Sequence, residues 1–111
     1  MSGPTVASLE KLIGTPRDGA LLRYSLGLEH AKAGNHERAS EYLRDAVARD
    51  PLYSAAWKAL GKAFAEINRA EEALAAYRQG IAAAKQKGDR QAEKEMTVFA
   101  KRLEKLGEKP G

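Results

Sequence analysis

AAWKALGKAF, residues 55–64, sets a problem whose solution is the fold. Every residue in it favours a helix except Gly61, which stands between Trp57 and Phe64. A glycine inside a helix costs about 1 kcal/mol relative to alanine. Some packing gain must therefore exceed that loss. Trp57, Leu60 and Phe64 fall at i, i+3 and i+7, on one face of the helix. Burying one large aromatic contributes on the order of 2–3 kcal/mol. A residue with no side chain at Gly61 lets a second helix backbone come close to that face, with Tyr77 as a large residue to fill the shared core. Ala63 and Ala73 mark where the crossing must be tight.

Gly61 has a counterpart 34 residues earlier, Gly27, in YSLGLEHAKAG, residues 24–34. The same offset superposes Leu26 on Leu60, His30 on Phe64, Ala31 on Ala65 and Ala39 on Ala73. It also superposes Leu43 on Tyr77 and Ala48 on Ala82. A fixed period of this size is the signature of stacked supersecondary units. Each unit reads as two helices. The first is expected to start at Thr15, with Pro16 in the first turn and Asp18 completing a capping box, and to run to about Ala33. Gly34 and Asn35 stop it. The second runs from about His36 to Arg49. Asp50 and Pro51 then repeat the start signal for a helix reaching about Ile67. Asn68, with Glu71, caps the fourth, which Gly88 ends, and Asp89 caps a last helix to Leu106.

The flanks supply two further apolar stripes. One is Leu9, Leu12 and Ile13, in a short helix near residues 5–13; the other is Met96, Phe99, Leu103 and Leu106. Either stripe closes an end of the stack or docks another chain.

The composition fits a single all-helical domain over residues 1–111, rich in alanine and without an alternating run long enough for a strand. There are 19 basic and 15 acidic residues, a net charge of +4, and the signs are interleaved. Interleaving marks a solvated helix face, whereas phosphate binding wants a one-signed stripe, so no nucleic acid is expected. No apolar run approaches the roughly 20 residues of a membrane span, so no membrane is expected either. The first residues do not read as a leader, and there is no cysteine. A cytoplasmic location is the expectation. His30 and His36 sit on different helices and form no metal pair. His30, aligned with Phe64, is expected to be packed or partly buried, and His36 to be exposed. No catalytic motif is found, and neither an enzyme nor a cofactor is expected.

The residues Trp57, Leu60, Gly61, Phe64, Ala73, Tyr77 and Gly80 resemble the tetratricopeptide repeat, as do Leu26, Gly27, Ala39, Leu43, Ala46 and Pro51. Three positions depart from its pattern. Arg23 takes the place of a large aromatic. Lys85 takes the place of proline, so the fourth helix is expected to run on. Glu95 takes the place of a third glycine, so residues 89–106 read as a closing helix. The resemblance implies an α-α superhelix of antiparallel helix pairs with a C-terminal capping helix. Repeat one spans about 20–53 and repeat two about 54–87.

The resemblance also implies a concave groove lined by the first helix of each pair. Its lining positions are Leu21, Tyr24, Leu28, Ala31 and Lys32, then Ala55, Lys58, Lys62, Ala65 and Glu66. Some family members clamp a C-terminal carboxylate between a lysine and an asparagine. Those first-repeat positions are Tyr24 and Leu28 here, so the clamp is absent. Lys58 and Lys62, four apart on one stripe, either attract an acidic group with an apolar neighbour or simply solvate the helix. The function implied is a non-catalytic module that binds a protein or peptide in this groove, as a monomer or weak homo-oligomer. The alternative is a self-associating scaffold subunit that docks through its terminal helices.

Overall fold

The computed structural model describes residues 5–108, which form six helices and no strand. They are α1 Val6–Glu10, α2 Ala20–Lys32, α3 His36–Arg49, α4 Ser54–Glu66, α5 Ala70–Lys87 and α6 Arg90–Glu108. Consecutive helices pack on one another throughout. The core is one continuous cluster from Ala39 and Leu43 of α3 through Leu60, Phe64 and Tyr77 to Met96 and Ala100 of α6. A smaller cluster of Leu22, Leu26 and Tyr42 is covered by Val6, Leu9, Leu12 and Ile13, so the N-terminal stripe is spent on closing that end.

The glycines sit where two helices touch. A Cβ built on Gly61 would lie 2.5–2.7 Å from three ring atoms of Tyr77. One on Gly27 would lie 2.5 Å from Leu43 Cγ and 3.3 Å from the Ala39 carbonyl oxygen. Gly80 repeats the device one interface later, where a Cβ would fall 2.7 Å from Trp57 Cβ and overlap Met96 Sδ. The absent side chains let each helix pair close to contact distance.

Several helix boundaries differ from the sequence expectation. Helix α2 begins at Ala20, with Gly19 at its N-cap, rather than at Thr15. Thr15 and Pro16 belong to a turn, in which the Thr15 hydroxyl donates to the Leu12 carbonyl at 2.5 Å. Asp18 caps no helix. It accepts from Gly14 N–H and grips Arg23 instead. Asp50 and Pro51 likewise form a turn before α4 starts at Ser54. Asn68 is not the N-cap of α5; that position is Arg69. Asn68 has φ +61° and closes α4, as Gly34 with φ +84° closes α2. In both places the next amide donates to a carbonyl five residues back, Arg69 to Phe64 and Asn35 to His30. Short polar side chains tolerate the left-handed conformation that glycine otherwise supplies.

Helix α6 closes the stack, in a register that the 34-residue offset does not predict. Helix α5 has 18 residues where α3 has 14, because Lys85 continues a helix that Pro51 forbids in the first unit. The connection to the next helix is correspondingly shorter. Helices α2 and α4 start 34 residues apart, at Ala20 and Ser54, but α4 and α6 start 36 apart, at Ser54 and Arg90. At the larger offset Ala56, Leu60 and Phe64 meet Ala92, Met96 and Ala100, all buried. Thus α6 packs against α5 with the face that α4 packs against α3. Asp89 sets this start: it accepts from Ala92 N–H at 3.1 Å and from the buried Ser54 hydroxyl at 3.2 Å.

Candidate functional site

The stack bends because its two layers are spaced differently. Helix α2 touches α4 and α4 touches α6, whereas α3 and α5 do not come into contact. The face formed by α2, α4 and α6 is therefore concave, and the face formed by α3 and α5 is splayed. Between the splayed helices lies a cavity of about 460 Å³, lined by Val47, Ala48, Ala75, Ala76 and Gln79 and floored by Trp57 and Phe64. The sequence reading did not foresee this convex cleft. Trp57 is half-buried there, and its indole N–H donates to the Pro51 carbonyl at 2.8 Å.

On the concave side the anticipated residues fall into two groups. Tyr24 and Leu28 are half-buried, and Leu21 is 69% exposed. The Tyr24 ring meets Tyr53 of the α3–α4 connection at a centroid distance of 4.9 Å, tilted by 43°. Tyr53 was missed from the sequence because it lies outside the helix that carries the groove positions. Burial pushes its phenol up, with Tyr24 and Asp50 adding to the effect. The two rings give the α2 end of the groove an aromatic wall.

The polar group is arranged differently from the expectation. Lys32 pairs with Glu29 at 3.0 Å, one turn away on its own helix. Lys58 is not a free cation beside Lys62. Its ammonium lies 3.0 Å from Glu95 Oε1 of α6, which neutralises it and ties α6 to α4. Lys62 and Glu66 remain exposed, and neither forms an ion pair among the described residues. Of the expected lysine pair, only Lys62 is unpaired among the described residues. No local signal in the sequence could reveal this, because Lys58 and its partner are 37 residues apart.

Arg23 explains how the first repeat does without its aromatic. Its Nε and Nη2 donate to the two Asp18 carboxylate oxygens at 3.0 Å each, and Nη1 donates to Asp45 at 3.0 Å. The side chain is only 13% exposed. The forked contact pins the segment before α2 to α3. The Arg23 guanidinium, helped by Gly14 N–H, holds the Asp18 carboxyl well below the usual carboxylate range. His30 lies against Tyr42 with ring centroids 5.5 Å apart and planes 18° apart, and both its ring nitrogens are buried without a hydrogen-bond partner among the described residues. His36 is half-buried rather than exposed, with Nδ1 enclosed. Among the described residues no helix is long and apolar enough to cross a membrane.

Comparison with known proteins places this architecture. The family profile described as tetratricopeptide repeat matches residues 24–88, more than half of the chain. The TPR repeat-containing protein PA0015 of Pseudomonas aeruginosa is 47% identical over 100 residues, covering 90% of this chain and 95% of that one. The solution structure of protein BPP2914 from Bordetella parapertussis is similar, with a TM-score of 0.79 and 36% identity, over 95% of this chain and 91% of the other. A tetratricopeptide repeat domain protein from Salinibacter ruber, also solved in solution, aligns with a TM-score of 0.76 and 30% identity. That alignment covers 86% of this chain and 96% of its own. With the paired helices, the nesting glycines and the concave layer in place, these matches show that the chain belongs to the tetratricopeptide repeat family.

Proposed function

We propose that this chain is a non-catalytic interaction module that seats a peptide segment of another protein across its concave face. Tetratricopeptide repeat proteins are generally protein-interaction modules. The observation that carries the reading here is the composition of the concave layer. Tyr24, Tyr53 and Leu28 present half-buried apolar surface, Leu21 stands largely in solvent beside them, and Lys62 supplies a free charge further along. Apolar surface kept partly exposed on a rigid layer gives a side chain somewhere to bury itself. The groove residues of the module are Leu21, Tyr24, Leu28, Lys62 and Glu66, with Lys32 at its edge. Its proposed compartment is the cytoplasm, which suits a sequence without cysteine.

Self-association through the terminal helices has less to support it. Met96 is buried and Phe99 and Leu103 pack against the core, leaving only Leu106 of that stripe exposed, and the apolar residues of α1 cover Leu22 and Leu26.

Selection of random 16-residue peptides displayed on phage, against the full chain, tests the groove. The enriched peptides should lose at least tenfold in affinity to Leu28→Glu and a smaller factor to Lys62→Glu. Ala48→Glu, which adds the same charge at the convex cleft, should change affinity less than twofold. Peptides indifferent to Leu28→Glu, or lost with Ala48→Glu, reject the assignment. Far-UV circular dichroism establishes that each variant is folded.

A further inference from the structure

In the sequence, α6 alternates charge signs and looks neutral. Its folded form sorts them. Glu95 turns to Lys58 of α4, and Glu104 turns to Arg78 of α5, each at 3.0 Å. Lys94, Lys101, Arg102 and Lys105 form no ion pair among the described residues. Lys94, Val98, Lys101 and Lys105 recur at helical spacing on the face turned away from Met96 and Ala100. Val98 in their midst is 47% exposed. With Arg102 and Glu104, three of these four residues line an open depression of about 480 Å³.

The two-residue change of register decides where this stripe points. At the 36-residue offset Lys94, Val98 and Lys101 occupy the positions that Lys58, Lys62 and Ala65 occupy on α4, which are groove positions. The bridge from Lys58 to Glu95 joins the edges of the two helices. The concave layer is therefore three helices wide and electrically graded. It is aromatic and apolar at α2, carries one unpaired lysine and one unpaired glutamate at α4 and is cationic at α6.

We propose that α6 is the anion-binding end of the groove, and that Lys94, Lys101 and Lys105 around Val98 take an acidic segment of the bound polypeptide. This rests on the groove reading above and adds the partner's chemistry and direction. The occupant has carboxylates, spaced around an apolar side chain, over α6 and an apolar or aromatic residue against Tyr24 and Leu28. Charge complementarity argues for this occupant, and the exposed valine argues for a polypeptide over a phosphate backbone, which offers nothing to bury against it. Glu66, exposed on α4 and in no ion pair among the described residues, disfavours a uniformly charged polyanion.

The same random-peptide selection, run on the full chain at low salt, supplies the probes. Peptides enriched on the wild type should carry clustered Asp and Glu next to an apolar residue. Their affinity should fall at least tenfold in Lys94→Glu with Lys101→Glu, and severalfold in the neutral pair Lys94→Gln with Lys101→Gln. Lys11→Glu with Arg17→Glu makes the same charge change at the opposite end of the stack and should cost less than twofold. Enriched peptides without acidic clusters, or indifferent to both α6 pairs while still lost in Leu28→Glu, overturn this proposal and leave the groove standing. Failure to enrich any peptide overturns both readings. Phosphatidylserine vesicles and single-stranded DNA are run alongside. Tighter α6-dependent binding to either than to any peptide also overturns the proposal.

Discussion

Replacing Gly61 by alanine should destabilise the protein although alanine is the better helix former. Two effects oppose each other. Alanine in the middle of α4 gains about 1 kcal/mol of helix propensity. Its Cβ, however, would sit 2.5–2.7 Å from Cε1, Cδ1 and Cζ of Tyr77, where carbon atoms in contact prefer about 3.5–4.0 Å. The ring must move by about 1 Å to restore ordinary contact. It has little room, because Phe99 of α6 lies on it at a centroid distance of 5.5 Å. Overpacking of a close-packed site costs about 1–3 kcal/mol, and a rigid ring confined in this way belongs near the upper end. The net loss is then about 2 kcal/mol, or a fall in Tm of about 8 °C for a domain of this size. Gly107, near the end of α6, has nothing within 4 Å of its built Cβ, so there only the propensity gain applies. Gly107→Ala should stabilise by about 0.5 kcal/mol, reduced by fraying at the helix end. Urea denaturation followed at 222 nm measures both. In Gly61→Ala with Tyr77→Ala the two losses should fall short of additivity by at least about 1 kcal/mol, because the clash disappears with the ring. A Gly61→Ala protein as stable as the wild type, or additivity in the double variant, would refute the nesting argument.

Three further outcomes follow from individual groups. Arg23 holds the Asp18 carboxyl below its ordinary range, so the folded state binds fewer protons there than the unfolded one. That contribution is complete above about pH 4 and is lost as the pH falls below it; the acid limb of stability against pH should be shallower in Asp18→Asn. Burial, aided by the charge of Glu66, pushes the Tyr77 phenol up to about 12. Stability should therefore decline as the pH rises from about 10 towards 12, and Tyr77→Phe, which keeps the ring, should flatten that decline in an alkaline melting series. His30→Phe removes two enclosed, unpartnered nitrogens and keeps a ring against Tyr42; it should raise stability by about 1 kcal/mol in the same urea assay, and a loss would show that the nitrogens are satisfied in solution.

The elements that could be read from the sequence are those whose cause is local or periodic. Gly27 and Gly61 recur in step with Leu43 and Tyr77, so the nested pairs and their order follow from spacing alone. Gly88 and Asp89 end and start helices with their own backbone and side chain, and both were recognisable. Thr15, Asp50 and Asn68 look equally like N-caps, yet none of them starts a helix; Asp50 and Asn68 instead lie where α3 and α4 end. Turn and cap residues share one chemistry, and the neighbouring chain chooses between them.

The sequence by itself determined that helices pair, which faces they bury and how the first four stack, because periodic small and large residues specify contact between adjacent elements. The tertiary structure alone decided which charges stay free. Lys58 is paired with a carboxylate 37 residues away, and α6 is turned by the two extra residues that Lys85 admits in place of a proline. Ion pairing depends on distances of a few ångströms between remote segments, and no pattern along the chain encodes such a distance.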